Sequence, residues 1–172
     1  MESDFMSCKN EFEIERKFLI RMPDIEYLRS VAEMSHIEQT YLKTDEGSAR
    51  VRKRGREGEY VYTHTVKKRL SDLRRIEHER EIAEEEYVRL LCFADPNMNV
   101  IFKDRYCVDY MGQTLEIDVF PFYPDRAFLE IELDDEAQRF FIPPWLEVIK
   151  EVTGDRRYTN AALAVDIPYD PI

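Results

Sequence analysis

The stretch Glu11-Phe12-Glu13-Ile14-Glu15-Arg16-Lys17-Phe18-Leu19-Ile20 alternates charged and apolar side chains almost residue by residue. Successive side chains of a strand point to opposite faces, so Glu11, Glu13, Glu15 and Lys17 share one side and Phe12, Ile14, Phe18 and Ile20 the other. One face is charged with both signs and the other is mostly apolar, which calls for a sheet with one side packed. Paired carboxylates two residues from a lysine suit a hard divalent cation held beside an anion.

The same alternation recurs along the chain. Strands are expected at 37–43 and 48–54, joined through Asp45-Glu46-Gly47, then at 59–69, 75–83, 99–109, 113–120 and 126–134. Helices are expected from Pro23-Asp24 to about Glu33, over 84–93, and near 134–141, 144–151 and 159–165. The sum is an α+β chain of eight antiparallel strands with peripheral helices. At 172 residues, 44% hydrophobic and 35% charged, with 5 Gly and 8 Pro, the chain reads as one globular domain over 1–172, its core about 11–167.

Each strand's parity assigns its charges to a face. Arg50, Arg52 and Arg54 oppose Ala49 and Val51; Glu79 and Glu81 oppose Ile82; Lys103, Arg105 and Asp109 share a side. Glu116 and Asp118 oppose Leu115 and Ile117, and Glu130 and Glu132 oppose Leu129, Ile131 and Leu133. For a single strand, an ordinary solvated face explains this. Over eight strands the sheet is long enough to close, with charged faces lining an interior and apolar faces under helices. Lone buried charges are costly, so such an interior would hold water, ions and an anionic ligand. Arg and Lys match phosphate oxygens, and carboxylates match Mg²⁺ or Mn²⁺.

The overall balance, 36 acidic against 25 basic residues and a net charge of −11, repels nucleic acid and anionic membranes, so any basic site is local. No run of about 18 apolar residues is present to cross a membrane. Cys8, Cys92 and Cys107 are odd in number and widely spaced, which fits a reducing cytoplasm.

Glu13-Ile14-Glu15-Arg16-Lys17 resembles the Glu-x-Glu-x-Lys signature of the CYTH superfamily, the triphosphate tunnel metalloenzymes. It is followed in the family's order by Arg50-Val51-Arg52, Thr65-Val66-Lys67, Glu79-Arg80-Glu81, Lys103-Asp104-Arg105-Tyr106, Glu116-Ile117-Asp118, Glu130-Ile131-Glu132 and the segment from Glu151 to Asn160. The resemblance implies an eight-stranded antiparallel closed β-barrel, a tunnel that binds a triphosphate. It also implies substrate ligands Lys17, Arg50, Arg52, Lys67, Lys103 and Arg105, and metal ligands Glu13, Glu15, Glu130 and Glu132 for Mg²⁺ or Mn²⁺. Lys17, Glu130 and Glu132 would be catalytic, with Tyr41, Glu79, Glu81, Glu116 and Asp118 in support.

The compact size resembles bacterial members that hydrolyse inorganic tripolyphosphate; adenylate cyclase and thiamine triphosphatase are alternatives within the resemblance, and a noncatalytic polyphosphate-binding module is one outside it. The partner expected is a small-molecule triphosphate, with no nucleic acid and no membrane, and a homodimer left open. Gly55-Arg56-Glu57-Gly58 lacks the helix that follows a phosphate-binding glycine loop and reads as a hairpin tip. His36, His64 and His78 have no mutual metal spacing.

Overall fold

A computed structural model describes residues 14–45, 47–69 and 75–172; Glu11, Phe12 and Glu13 lie outside them, as does Glu46 of the expected turn. The strands are β1 (Ile14–Arg21), β2 (Glu33–Leu42), β3 (Ser48–Arg56), β4 (Glu59–Arg69), β5 (Arg75–Ile82), β6 (Ile101–Tyr110), β7 (Gln113–Val119), β8 (Arg126–Leu133) and β9 (Val148–Glu151). Helices are short: α1 (Ile25–Val31), α2 (Glu84–Leu91) and α3 (Asn160–Leu163), with a 3-10 turn at Arg156–Tyr158. All strands join one antiparallel sheet in the order β5-β4-β3-β2-β6-β7-β8-β1-β9.

This overturns the expectation of an eight-stranded closed barrel in both count and closure. Among the described residues the sheet has nine strands and two separate edges, β5 and β9. Closure would need the outer side of β1 to pair with β5. That side is already taken by β9, through Phe18 opposite Glu151, Leu19 opposite Lys150 and Ile20 opposite Val148, with a register break between Leu19 and Ile20. The segment 144–151, expected as a helix, supplies this ninth strand, and 134–141 forms turns in place of a helix. There the Asp134 amide donates to the Gln138 side chain and the Ala137 amide to Asp135 Oδ1. Pro143-Pro144 also withholds two amide donors and disfavours helix before it.

The remaining elements form where local chemistry favours them. Asp24 caps α1 by accepting from the Tyr27 amide, and Thr159 caps α3 by accepting from the Ala162 amide. Leu28 of α1 packs on the apolar side of the sheet with Phe18, Ile20, Tyr106, Leu115, Leu129 and Ile131. Tyr87 of α2 covers the same side further along, over Leu42, Val51, Tyr62 and Ile82. A third cluster lies on the opposite side. Leu19, Tyr41, Ile101 and Phe128 have the parity of the charged residues, and Val152, Tyr158, Leu163 and Ala164 of the C-terminal segment pack onto them. One end of the charged face is therefore apolar and covered.

The β6–β7 hairpin turns through Met111 and Gly112, at φ 51° and 79°. Two consecutive residues at positive φ match the twist of the strands, and the first position favours Asn, whose short polar side chain hydrogen-bonds locally, over Met. Because Met111 is exposed, Met111→Asn is expected to raise unfolding free energy by about 1 kcal/mol, read by urea denaturation.

Candidate active site on the charged face of the sheet

Register brings the alternating charges of seven strands, β1 and β3 to β8, onto one face, with Gln39 and Tyr41 of β2 between them. Lys17 lies opposite Glu130 and Glu15 opposite Glu132. Glu130 also faces Glu116, and Asp118 faces Arg105. At the other flank Arg50 lies between Tyr41 and Thr65, Arg52 between Gln39 and Thr63, and the two threonines face Glu79 and Glu81. All described positions of the expected site share this face; Glu13 lies outside the described residues.

The face has two electrically different walls. On β6, β7, β8 and β1, cations are already neutralised by protein carboxylates. Arg105 donates from Nε to Asp118 Oδ1 at 2.7 Å, from Nη2 to Asp118 Oδ2 at 2.8 Å and to Glu130 Oε2 at 2.6 Å, and from Nη1 to Glu116. Lys103 Nζ donates to Asp118, and Lys17 Nζ lies 2.7 Å from Glu130 Oε1 and 4.9 Å from the Phe128 ring centroid. Burial alone would raise the Asp118 carboxyl, yet Lys103 and Arg105 hold it far below the usual carboxylate range. Glu130 is likewise held low: burial and Asp118 oppose its charge, but Lys17, Lys103 and Arg105 prevail.

Carboxylate is nevertheless in surplus on this wall. Glu15 keeps part of its surface in solvent, yet partial burial and the charge of Glu130 push its carboxyl up to about 7 against the pull of Lys17, Arg105 and Lys103. Glu132, its cross-strand partner, is exposed. Among the described residues no three His, Cys, Asp or Glu groups converge closely enough to hold a metal as placed. The donor chemistry of Glu15, Glu130 and Glu132 is nonetheless all hard oxygen, and a divalent cation would offset both the burial and the Glu130 charge that raise Glu15.

On β3, β4 and β5 the balance is reversed. Arg50 and Arg52 share one carboxylate, Glu79, at 3.8 Å and 3.2 Å, while Thr65 donates to the same Glu79 at 2.6 Å. Burial pulls the Arg52 guanidinium down, and neighbouring Arg50, Arg105 and Arg54 add to this against Glu79. Burial would raise Glu79, but the Thr65 hydroxyl and the charges of Arg52, Arg50 and Lys67 bring it below its ordinary value. Among the described residues, Arg50 Nε and Thr63 Oγ1 are buried without a hydrogen-bond partner. Buried polar groups are ordinarily satisfied by protein, water or ligand, and these two are left for water or ligand.

Tyr41 lies where the basic wall meets the apolar end. It is buried among Leu19, Ile101 and Phe128, and its hydroxyl accepts from Gln39 Nε2 at 2.9 Å. Burial, partly offset by Arg50, raises its phenol. Glu81 is exposed at the β5 edge, and Glu116 is half-buried against Arg105.

Three positions join the site that spacing did not single out for it. Thr65 positions Glu79. Thr63 offers a hydroxyl unpaired among the described residues; both threonines share the parity of Lys67, which was the available signal. Thr153 Oγ1 accepts from the Lys17 amide at 2.9 Å and so fixes the backbone beneath that cation; nothing in the spacing of residues 17 and 153 announces this contact.

No protein-family model matches the chain. An inorganic triphosphatase of Nitrosomonas europaea is 37% identical over 161 residues, covering 91% of this chain and 99% of that protein. An inorganic triphosphatase of Acetivibrio thermocellus is 36% identical over 162 residues, covering 91% and 95%. Among solved structures, the crystal structure of an inorganic triphosphatase superposes with a TM-score of 0.61 at 34% identity, covering 91% of this chain and 100% of the other. Relatives this similar over nearly their whole length bear out the resemblance carried by the motifs, and the chain belongs to the inorganic triphosphatase family within the CYTH superfamily.

Proposed function

We propose that the protein hydrolyses inorganic tripolyphosphate on the charged face, assisted by Mg²⁺ or Mn²⁺. The observation that carries this is the asymmetry of the two walls: among the described residues Arg50 and Arg52 share a single carboxylate beside two unsatisfied polar groups, whereas the opposite wall has carboxylate in surplus. The relatives' activity supports it.

In this reading Arg50, Arg52 and Lys67 bind phosphate oxygens, with charge-assisted contacts that are roughly twice as strong as neutral ones. Glu15, Glu130 and Glu132 would hold the cation, which when bound neutralises phosphate charge and activates water. Lys17, Lys103 and Arg105 line the middle of the face, where their cations meet charge that develops on the transferred phosphoryl group. Glu130 holds Lys17 and Arg105 with one oxygen each, which orients both cations and makes it a poor proton acceptor.

The test is phosphate release from tripolyphosphate, ATP and thiamine triphosphate with each metal and with chelator. Orthophosphate released chiefly from tripolyphosphate and abolished by chelation supports the reading; cyclic AMP from ATP, or binding without turnover, opposes it. Glu132→Gln tests the metal contribution with less disturbance than a change at Glu130, because Glu132 is exposed whereas Glu130 anchors two buried cations. The variant is expected to need about ten- to a hundredfold more metal for half-maximal turnover, with little change in melting temperature. An unchanged metal titration would remove Glu132 from the cation's ligands.

A further inference from the structure

The arginine row on β3 does not stop at Arg52. Arg54 has the same parity and lies two positions toward the hairpin tip, whereas Arg50 faces Tyr41 and the covered apolar end. The row therefore runs from the closed end of the face to an open one. At the open end a cavity of about 610 Å³ is lined by Ser35, Arg54, Gly55, Glu59, Tyr60 and Val61.

Arg54 is half-buried, and among the described residues it has no carboxylate partner. Its Nε donates to Ser35 Oγ at 3.0 Å, and Nη2 points to Cys107 Sγ at 3.7 Å. Neither neighbour carries a charge that would neutralise it, and Arg52 beyond it shares the Glu79 carboxylate with Arg50. The backbone holds this arrangement closely: Gly55 has φ 152°, and a Cβ there would meet the Glu59 carbonyl oxygen at 1.9 Å. Glu59 is exposed at the rim, where water screens its carboxylate, so Arg54 is the group that draws an anion; the Tyr60 ring already has Lys53 Nζ over one face at 4.2 Å, which closes that face to a stacked base.

We propose that Arg54 and Ser35 extend the anion track by a further phosphate position at the hairpin end, so that linear polyphosphates longer than tripolyphosphate seat their extra phosphate there. This rests on the reading that Arg50 and Arg52 bind the first phosphates. A guanidinium and a hydroxyl in line with a phosphate-binding row suit another phosphate, and the open end leaves room for the chain to continue.

The test is calorimetric binding of tripolyphosphate, tetrapolyphosphate and ATP to wild type and Arg54→Gln, with phosphate release measured in parallel. Wild type is expected to bind tetrapolyphosphate more tightly than tripolyphosphate. In Arg54→Gln the ratio of the two affinities is expected to fall by about ten- to a hundredfold, the loss of one charge-assisted contact. An unchanged ratio overturns the proposal, as does a change confined to ATP, which would assign the cavity to an organic group. If wild type releases no phosphate from tripolyphosphate yet the affinity ratio still responds to Arg54, the hydrolytic reading fails and the extended anion track stands. Melting curves of both proteins exclude unfolding as the cause, and Arg54→Lys, which keeps the charge, is expected to recover part of the tetrapolyphosphate preference; no recovery counts against an electrostatic subsite.

Discussion

Asp118→Asn is expected to lower unfolding free energy by about 3–5 kcal/mol, the usual cost of removing one partner from a buried ion pair. Asp118 is fully buried and accepts from Lys103 and twice from Arg105. The amide preserves size but leaves two buried cations short of charge. Glu130 and Glu116 still hold Arg105, whereas Lys103 loses the only carboxylate that contacts it among the described residues. Denaturant unfolding measures this, and a cost under about 1 kcal/mol would place the cluster among weakly contributing surface pairs.

The same residue sets an acid limb. Its folded-state carboxyl titrates below its unfolded value, so its contribution is present above an unfolded pKa of about 3.9 and is lost as pH falls through the folded one. Wild type should therefore lose stability progressively below about pH 5, and Asp118→Asn should show a shallower decline over that window. Parallel slopes in the two proteins would contradict this.

Lys17→Met is expected to reduce turnover of tripolyphosphate by about a hundred- to a thousandfold while the protein stays folded, the loss typical of one preorganised donor to a charged transition state. The thioether side chain keeps the packing over Phe128, and Glu130 retains Arg105, so no buried carboxylate is stranded. The effect should fall on kcat more than on KM. A folded variant with near-normal turnover would exclude Lys17 from the chemistry. On an open solvated face its ion pair would be worth only about 0–1 kcal/mol and would serve no function.

Much of the charged face was legible because strand parity is strict: once Lys17 and Glu15 share a side, register alone brings Glu130 and Glu132 beside them. Pairing partners were not legible. That Arg105 gathers three carboxylates from β7 and β8, while Arg50 and Arg52 share one, depends on strand order and stagger.

Closure failed for a related reason. Alternation says which side a residue faces and nothing about whether two edges meet. The strand that occupies the edge of β1, Val148-Ile149-Lys150-Glu151, is too short for periodicity to separate from a helical turn. The apolar end was hidden as well, since Leu19, Tyr41, Ile101 and Phe128 share the parity of the charges and find apolar partners only when Tyr158 and Leu163 return in space.

The claim that phosphate seats on the basic wall is tested most directly by calorimetric titration of tripolyphosphate into wild type, Arg52→Ala and Arg80→Ala. Arg80 serves as control because it lies on the opposite side of β5 and pairs with Glu86 on the surface. The account predicts that Arg52→Ala weakens binding by about ten- to a hundredfold while Arg80→Ala matches wild type. Equal affinity in a folded Arg52→Ala protein, or an equal loss in both variants, would contradict it.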